Sequence, residues 1–254
     1  MNKPVIVLFA LLIVSIATLA QAQLSNTDLL QRLDEARFSD SSVTSIHVRI
    51  TSETPDETRV AEVAIYFAEI DGASYTRIEF LAPEELLGQI YLSTPDATYF
   101  YSPDLDFPIK TSATAELFGD AAVAQTSGIR FAEDYTISER RTAVAEDGAE
   151  VWEIELVAVD ETIAFQYVTL IVDPIELRAV SATLYGLSRF PFYEVYYDDY
   201  ETRGENDVYA ATQRIVNLFL VGRQTISETL AIGTEELPQS WFDPNSLGTS
   251  ESTK

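Results

Sequence analysis

The stretch RIEFLAPEELLGQIYL, Arg77 to Leu92, decides the fold class of this protein. Its two ends alternate apolar and polar residues, as strands with one buried face do. The Pro-Glu-Glu-Leu-Leu-Gly segment between them has the turn-forming residues of a connection. The stretch therefore predicts two neighbouring strands with much apolar surface and no reactive group beside it.

Similar strand-like stretches recur along most of the chain. They are closed by turn signals at the spacing of about 8–12 residues that is typical of an antiparallel meander. About eleven strands are expected, in a mainly β fold. The sequence has no glycine-rich linker and no internal repeat. It therefore predicts a single domain over residues 23–247 and a flexible C-terminal tail over residues 248–254.

Two regions interrupt the β pattern. LSNTDLLQRLDEARF, residues 24–38, predicts a helix, because Ser25 and Asp28 have the spacing of a capping box. The stretch from Ala113 to Gly128 predicts a pair of short, alanine-rich helices, with Leu117 and Phe118 on their apolar face. These helices would lie over the sheet as a lid, although an ordinary core helix without motion fits the same pattern.

The N-terminal stretch has the layout of a secretory signal. Lys3 precedes the apolar run VIVLFALLIVSIATLA, and Ala20-Gln21-Ala22 follows as a cleavage site. The alternative is a membrane anchor, but the run is shorter than the roughly 20 residues that cross a bilayer. We expect cleavage after residue 22 and an exported, soluble protein.

Acidic residues dominate the composition. The chain has 41 Asp and Glu against 16 Lys and Arg, a formal charge of −25. A field of this sign repels phosphate backbones, so nucleic acid is not an expected partner. It also disfavours unaided binding to an anionic membrane surface.

The usual catalytic residue types are nearly absent. Cysteine is missing altogether and His47 is the single histidine, so thiol catalysis is excluded and a His/Cys metal cluster cannot be assembled. A Ser-His-Asp triad would have to use His47, which is better explained as a solvated histidine on a strand. The acidic-aromatic stretch YYDDYE is better explained as solvated charge at a strand end. We therefore expect no enzyme, metal or cofactor. A large apolar sheet without reactive groups fits a carrier of apolar ligands, since burial recovers about 0.8 kcal/mol per methylene. A filled β core with no cavity fits the same pattern.

Three stretches together resemble a known family, the outer-membrane lipoprotein-sorting or lipoprotein carrier proteins (LolA-like). They are RIEFLAPEELLGQIYLSTPDATYFYSPDL, YVTLIVDPIELRAVSATLYG and SWFDPNSL. The positions that recur in the family are Arg77, Pro83, Gly88, Tyr101 and Pro103. The sequence departs from the family in DLDFPIKTSATAELFGDAAVAQ, where many relatives have a basic stretch.

The resemblance implies an unclosed antiparallel β half-barrel with helices covering its concave face. It implies a periplasmic carrier that binds lipid or lipoprotein acyl chains in a hydrophobic cavity. An inner-membrane donor and an outer-membrane acceptor protein would be its partners, and the carrier would be a monomer. Assuming one shared face for the apolar strand positions, the candidate lipid-binding residues are Ile78, Phe80, Ile90, Leu92, Phe100, Trp152, Ile154 and Leu156, with Leu117 and Phe118 from the lid.

Two other functions stay open at this point. The same half-barrel would also suit a non-transporting sensor or interaction module that binds envelope lipoproteins or a membrane-bound regulator. A secreted hydrolase is the weakest alternative, because it needs two inward-facing carboxylates with raised pKa values in a cleft.

Overall fold

The computed structural model describes residues 24–38, 43–122, 129–203 and 207–249. Helix α1 spans Asn26–Phe38, and α2 is a single turn over Phe131–Asp134. The capping box predicted for α1 is present, since Asp28 N donates to Ser25 Oγ at 3.1 Å and Ser25 Oγ donates to Asp28 Oδ2 at 2.6 Å. The N-terminal helix is therefore confirmed.

Fifteen strands are found in the described residues. They are β1 Ser45–Glu53, β2 Thr58–Ile70, β3 Ala73–Ala82, β4 Ile90–Ser93, β5 Thr98–Tyr101, β6 Ile109–Thr111, β7 Glu116–Phe118, β8 Ala121–Ala122, β9 Tyr135–Val144, β10 Glu150–Ala158, β11 Tyr167–Asp173, β12 Arg178–Tyr185, β13 Pro191–Arg203, β14 Asp207–Asn217 and β15 Gln224–Gly233. Short 3₁₀ segments span Glu84–Leu86, Gln239–Phe242 and Pro244–Ser246.

Thirteen of these strands form one unclosed antiparallel sheet, in the order β6-β5-β4-β3-β2-β1-β15-β14-β13-β12-β11-β10-β9. The sheet consists of two meanders that meet where β1 pairs with β15, from Ser45 opposite Gly233 to Glu53 opposite Gln224. We call this pairing the seam. The chain leaves one meander at β6 and begins the other at β9, so the intervening segment must pass from one edge of the sheet to the other.

Each face of the sheet has its own cover. Helix α1 packs through Leu29, Leu30 and Leu33 on the face that we call the inner face. The C-terminal 3₁₀ segments place Trp241 and Phe242 on the opposite, outer face of β2–β5. The predicted half-barrel is confirmed, with thirteen strands in the main sheet instead of about eleven.

Two strands of the main sheet, β6 and β15, were not among the strands expected from the sequence. Strand β6 is three residues long, too short for a visible pattern. Strand β15 faces inward with Thr225, Ser227 and Thr229, which pair with inward-facing residues of β1. A buried face made of Thr and Ser does not alternate in hydrophobicity, although the Thr225 side chain is fully buried.

The helices predicted within Ala113–Gly128 are wrong over the described part of that stretch. Strands β7 and β8 form a hairpin there, with Phe118 opposite Ala121, which we call the crossing hairpin. Gly119 has a φ of +61°, a left-handed conformation that a tight turn uses and a helix does not. Residues 123–128 of the predicted lid lie outside the described residues.

Candidate functional site

The inner face carries most of the residues predicted to bind lipid. Ile65 of β2 pairs with Ile78, Val63 pairs with Phe80, and Tyr91, opposite Ile78, pairs with Phe100. On the other meander, Ile154 and Leu156 lie in the core beneath α1, with Trp152 packed at its margin. Leu117 and Phe118 reach the same face from the crossing hairpin.

These residues do not line one open cavity. Ile154 and Leu156 are fully buried in the same apolar cluster as Leu29 and Leu33 of α1. The second group is covered in a similar way, because Leu117 and Phe118 pack on the cluster that contains Ile78 and Phe80. The inner face is thus filled by two separate covers, α1 and the crossing hairpin.

Ile90 and Leu92 lie on the outer face, so the assumption of a single shared face was wrong for β4. Leu92 pairs with Arg77, and Ile90 pairs with Glu79. Both β4 side chains are fully buried against Trp241, Phe242 and Leu247. Because both faces of this meander are covered, an apolar position on β4 does not reveal which face it occupies.

Two of the positions on which the family resemblance rests, Arg77 and Tyr101, lie on the outer side. Arg77 is fully buried, donates from Nη1 to the carbonyl of Trp241 at 3.3 Å and pairs with Glu79 at 3.1 Å. A Cβ on Gly88, whose φ is +79°, would lie 2.8 Å from Cγ of Pro103. These residues fasten the C-terminal segment and the turns to the sheet, so they are structural.

The crossing hairpin is fastened at the seam by its turn. Gly119 lies so close to the sheet that a Cβ there would overlap the Ser52 side chain. Asp120 N donates to Thr225 Oγ1 at 2.9 Å, and Asn217 Nδ2 donates to Asp120 Oδ1 at 2.6 Å. The buried Asp120 therefore binds both β14 and β15 through their side-chain groups rather than through a ladder of backbone bonds.

A second group of polar contacts joins α1 to α2, which follows the crossing hairpin in the chain. Asp34 Oδ1 accepts from Phe131 N at 2.9 Å, and Asp34 Oδ2 accepts from Ala132 N at 2.8 Å. The carboxylate thus satisfies free N–H groups at the start of α2, which no side chain within α2 caps. The buried Arg37 donates to the same carboxylate at 2.6 Å.

Arg37 is held between aromatic rings. Its guanidinium lies 3.8 Å from the ring centroid of Phe131 and 5.5 Å from that of Tyr197. It also donates to the Tyr197 hydroxyl at 3.3 Å and to the carbonyl of Ile129. The ion pair of the buried Arg37 with Asp34 fixes α1 against the start of the second meander. Separating the two side chains would leave a buried charge without its partner, which is strongly destabilising.

An open cleft of about 810 Å³ lies between the two edges of the sheet. One wall is formed by strand ends and turns of the first meander, including Ser74, Thr98 and Thr111, and the other by Ile163 and Phe165. Its volume is within the roughly 300–1,000 Å³ of ligand pockets. Both walls mix polar and apolar groups, because Glu133, Asp134 and Thr162 lie on the same side as Ile163 and Phe165.

Two acidic residues of α2 stand at this cleft. Ser74 Oγ donates to Glu133 Oε2 at 3.1 Å, a contact that bridges the two meanders. Burial raises the pKa of Asp134 to about 6, opposed by the hydrogen bond that its carboxylate accepts from Arg130 N at 3.0 Å. The cleft therefore contains a carboxyl group that changes charge near neutral pH.

A smaller cavity of about 40 Å³ lies deeper on the inner face, beside the seam. It is lined mainly by apolar side chains of β1, β2, β14 and β15, among them Val48, Phe67 and Ile215. This volume is far below that of a typical ligand pocket. A ligand the size of an acyl chain can enter the inner face only where a cover moves away.

Solved structures share this architecture. A LolA superfamily protein from Nitrosomonas europaea superposes with a TM-score of 0.76 over 86% of this chain and 97% of its own, at 19% sequence identity. The chain has the LolA-like fold. A putative outer membrane lipoprotein-sorting protein domain from Vibrio parahaemolyticus has a TM-score of 0.72 at 15% identity, covering 87% of this chain and 97% of its own.

A DUF1329 family protein from Desulfovibrio piger is similar to the same extent, with a TM-score of 0.72 at 14% identity over 87% of this chain and 97% of its own. No protein-family model matches the sequence, and no curated protein is significantly similar to it. The resemblance inferred from the sequence is thus confirmed for the fold.

The described residues offer few groups for catalysis or metal binding. Across the described ranges no group of three or more His, Asp or Glu side chains could hold a metal ion. His47 lies on the outer face of β1, with Nε2 3.2 Å from the Glu62 carboxylate. No helix among the described residues is long and apolar enough to cross a membrane.

Sequence reasoning missed the polar residues that fasten the two covers: Asp34, Arg37, Asp120, Asn217 and Thr225. In a chain with 41 acidic residues, nothing marks Asp34 or Asp120 as buried. The one signal in the sequence is the Gly119-Asp120 pair, which is typical of a turn but also fits the start of a helix.

Proposed function

We propose that this protein is an exported, periplasmic carrier that binds lipid or the acyl chains of lipoproteins on its inner face and delivers them toward the outer membrane. One observation carries the proposal. The inner face is apolar on both meanders, and its covers are separate pieces of chain held by a few polar contacts. The LolA-like fold, shared with a domain named for lipoprotein sorting, supports the same assignment.

The cargo would replace the crossing hairpin rather than α1. The hairpin covers Ile78 and Phe80 with two large apolar side chains, Leu117 and Phe118. Exposing those two side chains costs about 3–6 kcal/mol, whereas burying about a dozen methylenes of an acyl chain recovers roughly 10 kcal/mol. The exchange is therefore favourable for a long acyl chain and unfavourable for a short one.

The open cleft would hold the polar end of the cargo. It adjoins the inner face and has hydroxyl groups of Ser74, Thr98 and Thr111 on one wall. A head group, or the protein part of a lipoprotein, would stay in contact with water there. An inner-membrane donor and an outer-membrane acceptor protein would load and unload the carrier.

Brominated fatty acids test the proposal, because bromine quenches tryptophan fluorescence at short range. Phe100 and Tyr99 are neighbours on β5 that face the inner and outer sides respectively. In a background with Trp152→Phe and Trp241→Phe, we expect strong quenching of F100W and weak quenching of the matched control Y99W. Equal quenching, or no binding of the fatty acid, would overturn the proposal.

A non-transporting interaction module is the second candidate. It is favoured by the small volume of the apolar cavity, about 40 Å³, and by the full burial of Ile78 under its cover. Native mass spectrometry of protein purified from its own periplasm separates the two functions. The carrier predicts a co-purified lipid or acylated protein, whereas the interaction module predicts a ligand-free protein that binds an envelope lipoprotein.

A further inference from the structure

Two neighbouring loops at one end of the sheet expose a group of large apolar side chains. The β12–β13 loop contributes Leu187 and Phe190, and the β14–β15 loop contributes residues 218–221. We call these side chains the apolar tips: Leu187, Phe190, Leu218, Phe219, Leu220 and Val221. Val221 is 94% exposed, Phe190 54% and Phe219 50%. Clusters of this kind on a soluble protein mark contact surfaces.

The apolar tips form one surface. The rings of Phe190 and Phe219 are stacked, with centroids 4.9 Å apart, and Phe192 packs on Phe219 at 5.3 Å. Strand β13 pairs with both β12 and β14, which brings the two loops side by side at one end of the sheet. The tips project from strand ends and do not line a groove.

The backbone of these loops is hydrogen-bonded within the protein. Asn217 Oδ1 accepts from Phe219 N at 2.9 Å and from Leu220 N at 3.0 Å. Leu218 N donates to the carbonyl of Phe192 at 3.0 Å, and Arg223 N donates to that of Leu220 at 3.2 Å. Four N–H groups of the β14–β15 loop thus have partners within the protein, which lowers the cost of moving this loop into an apolar medium.

The charge around the tips is unlike that of the rest of the chain. No acidic residue occurs between Asp207 and Glu228, or between Glu176 and Glu194, in a sequence with 41 acids. Arg189 and Arg223 flank the tips, and each has its nearest carboxylate at 3.8 Å, on Glu155 and Asp120. The two loops therefore contribute no carboxylate of their own and are flanked by two arginines, whereas the neighbouring β1–β2 turn, whose Pro55 faces Gly222, contributes Asp56 and Glu57.

We propose that the apolar tips dock this protein on a lipid bilayer by inserting into its interface. Exposed aromatic and aliphatic side chains, internally bonded loop backbone and flanking arginines together favour a lipid surface over a protein groove. The net charge of −25 opposes binding to anionic lipid, so insertion must depend on the apolar side chains. The tips are distinct from the inner-face residues that would hold cargo, and Asn217 joins their loop to Asp120 of the crossing hairpin.

Flotation of the full-length mature protein with phosphatidylcholine vesicles tests this docking. We expect binding that persists at high salt and weakens when part of the lipid is replaced by phosphatidylglycerol. The double variant F219S/V221S should lower the partition coefficient by about tenfold or more, the effect of removing buried apolar side chains. The matched control is I175S, because Ile175 is 87% exposed in the β11–β12 turn, away from the tips.

A second readout uses tryptophan emission. V221W should shift to shorter wavelength on addition of vesicles, and I175W should not. Absence of vesicle binding by the unaltered protein, or equal binding by F219S/V221S, would overturn the proposal. So would a concentration-dependent dimer that F219S/V221S abolishes without any vesicle binding, because the occupant would then be a second copy. Fatty-acid uptake should be unchanged in F219S/V221S, which separates this test from that of the carrier function.

Discussion

Asn217 donates a 2.6 Å hydrogen bond from Nδ2 to Oδ1 of Asp120, and this bond ties the end of β14 to the turn of the crossing hairpin. Asp120 also bonds Thr225 through its backbone N–H at 2.9 Å. A hydrogen bond to a charged group contributes about 1.5–3 kcal/mol, and one between neutral groups about 0.5–1.5 kcal/mol. These two bonds, the ion pair of Asp120 with Arg223 at 3.8 Å and the packing of Leu117 and Phe118 hold the hairpin, none of them through the strand ladder, so it can detach while the sheet beneath it stays paired.

We expect Asp120→Ala to lower the free energy of unfolding by about 1–3 kcal/mol and to accelerate fatty-acid uptake. The reason is that the hairpin loses its carboxylate while Ile78 and Phe80 remain in place. Stopped-flow fluorescence with a fluorescent fatty acid measures the rate. Glu85→Ala, an exposed change of the same charge, is the control. An unchanged uptake rate in a destabilised Asp120→Ala variant would show that the hairpin does not gate the inner face.

Removing the carboxylate of Asp34 should destabilise the fold by about 3 kcal/mol or more, because Arg37 would remain buried without its ion-pair partner. The double variant D34A/R37M should recover part of that loss, since methionine fills the space without a charge. Urea denaturation of both variants measures the difference. If D34A/R37M were less stable than D34A, the buried pair would not be the source of the effect.

The stability of the fold should depend on pH through Asp134. Its folded-state pKa of about 6 lies above the ordinary value, so folding favours the protonated form. That stabilising contribution is complete below about pH 4 and is lost as the pH rises through 6. Asp134→Asn should therefore be more stable than the unaltered protein at pH 7 by about 3 kcal/mol, with little difference near pH 4. A constant difference across that range would contradict the assignment.

The variant Trp241→Ala should lower the stability of the fold without changing fatty-acid binding. Trp241 packs edge-on against Tyr66, with ring centroids 5.1 Å apart, and covers the outer face of β2–β5. We expect a loss of about 3–5 kcal/mol in the free energy of unfolding. Fatty-acid uptake by the folded variant should be unchanged, because the inner face does not contact Trp241. Calorimetry and equilibrium binding below the unfolding transition check both expectations.

The sequence by itself determined those elements whose stabilising contacts join residues close together in the chain. The capping box of Ser25 and Asp28 is readable because its two residues are three positions apart. The alternating strands, and the turn at Gly88 with its positive φ, are readable for the same reason. The absence of cysteine and of a second histidine narrows the function by composition alone, because thiol and multi-histidine chemistry need residues that the chain lacks.

Tertiary structure decided which face each strand presents and what covers it. Alternation divides the residues of β4 into two sets, but only the pairing of Leu92 with Arg77 and the packing of Trp241 place Leu92 on the outer face. The alanine-rich crossing segment follows a helical pattern, yet its turn is fixed against Ser52 and Thr225, residues distant in the chain. Packing against such distant residues outweighs a helix propensity of a few tenths of a kcal/mol per residue, so the local pattern alone does not decide between a helix and a hairpin.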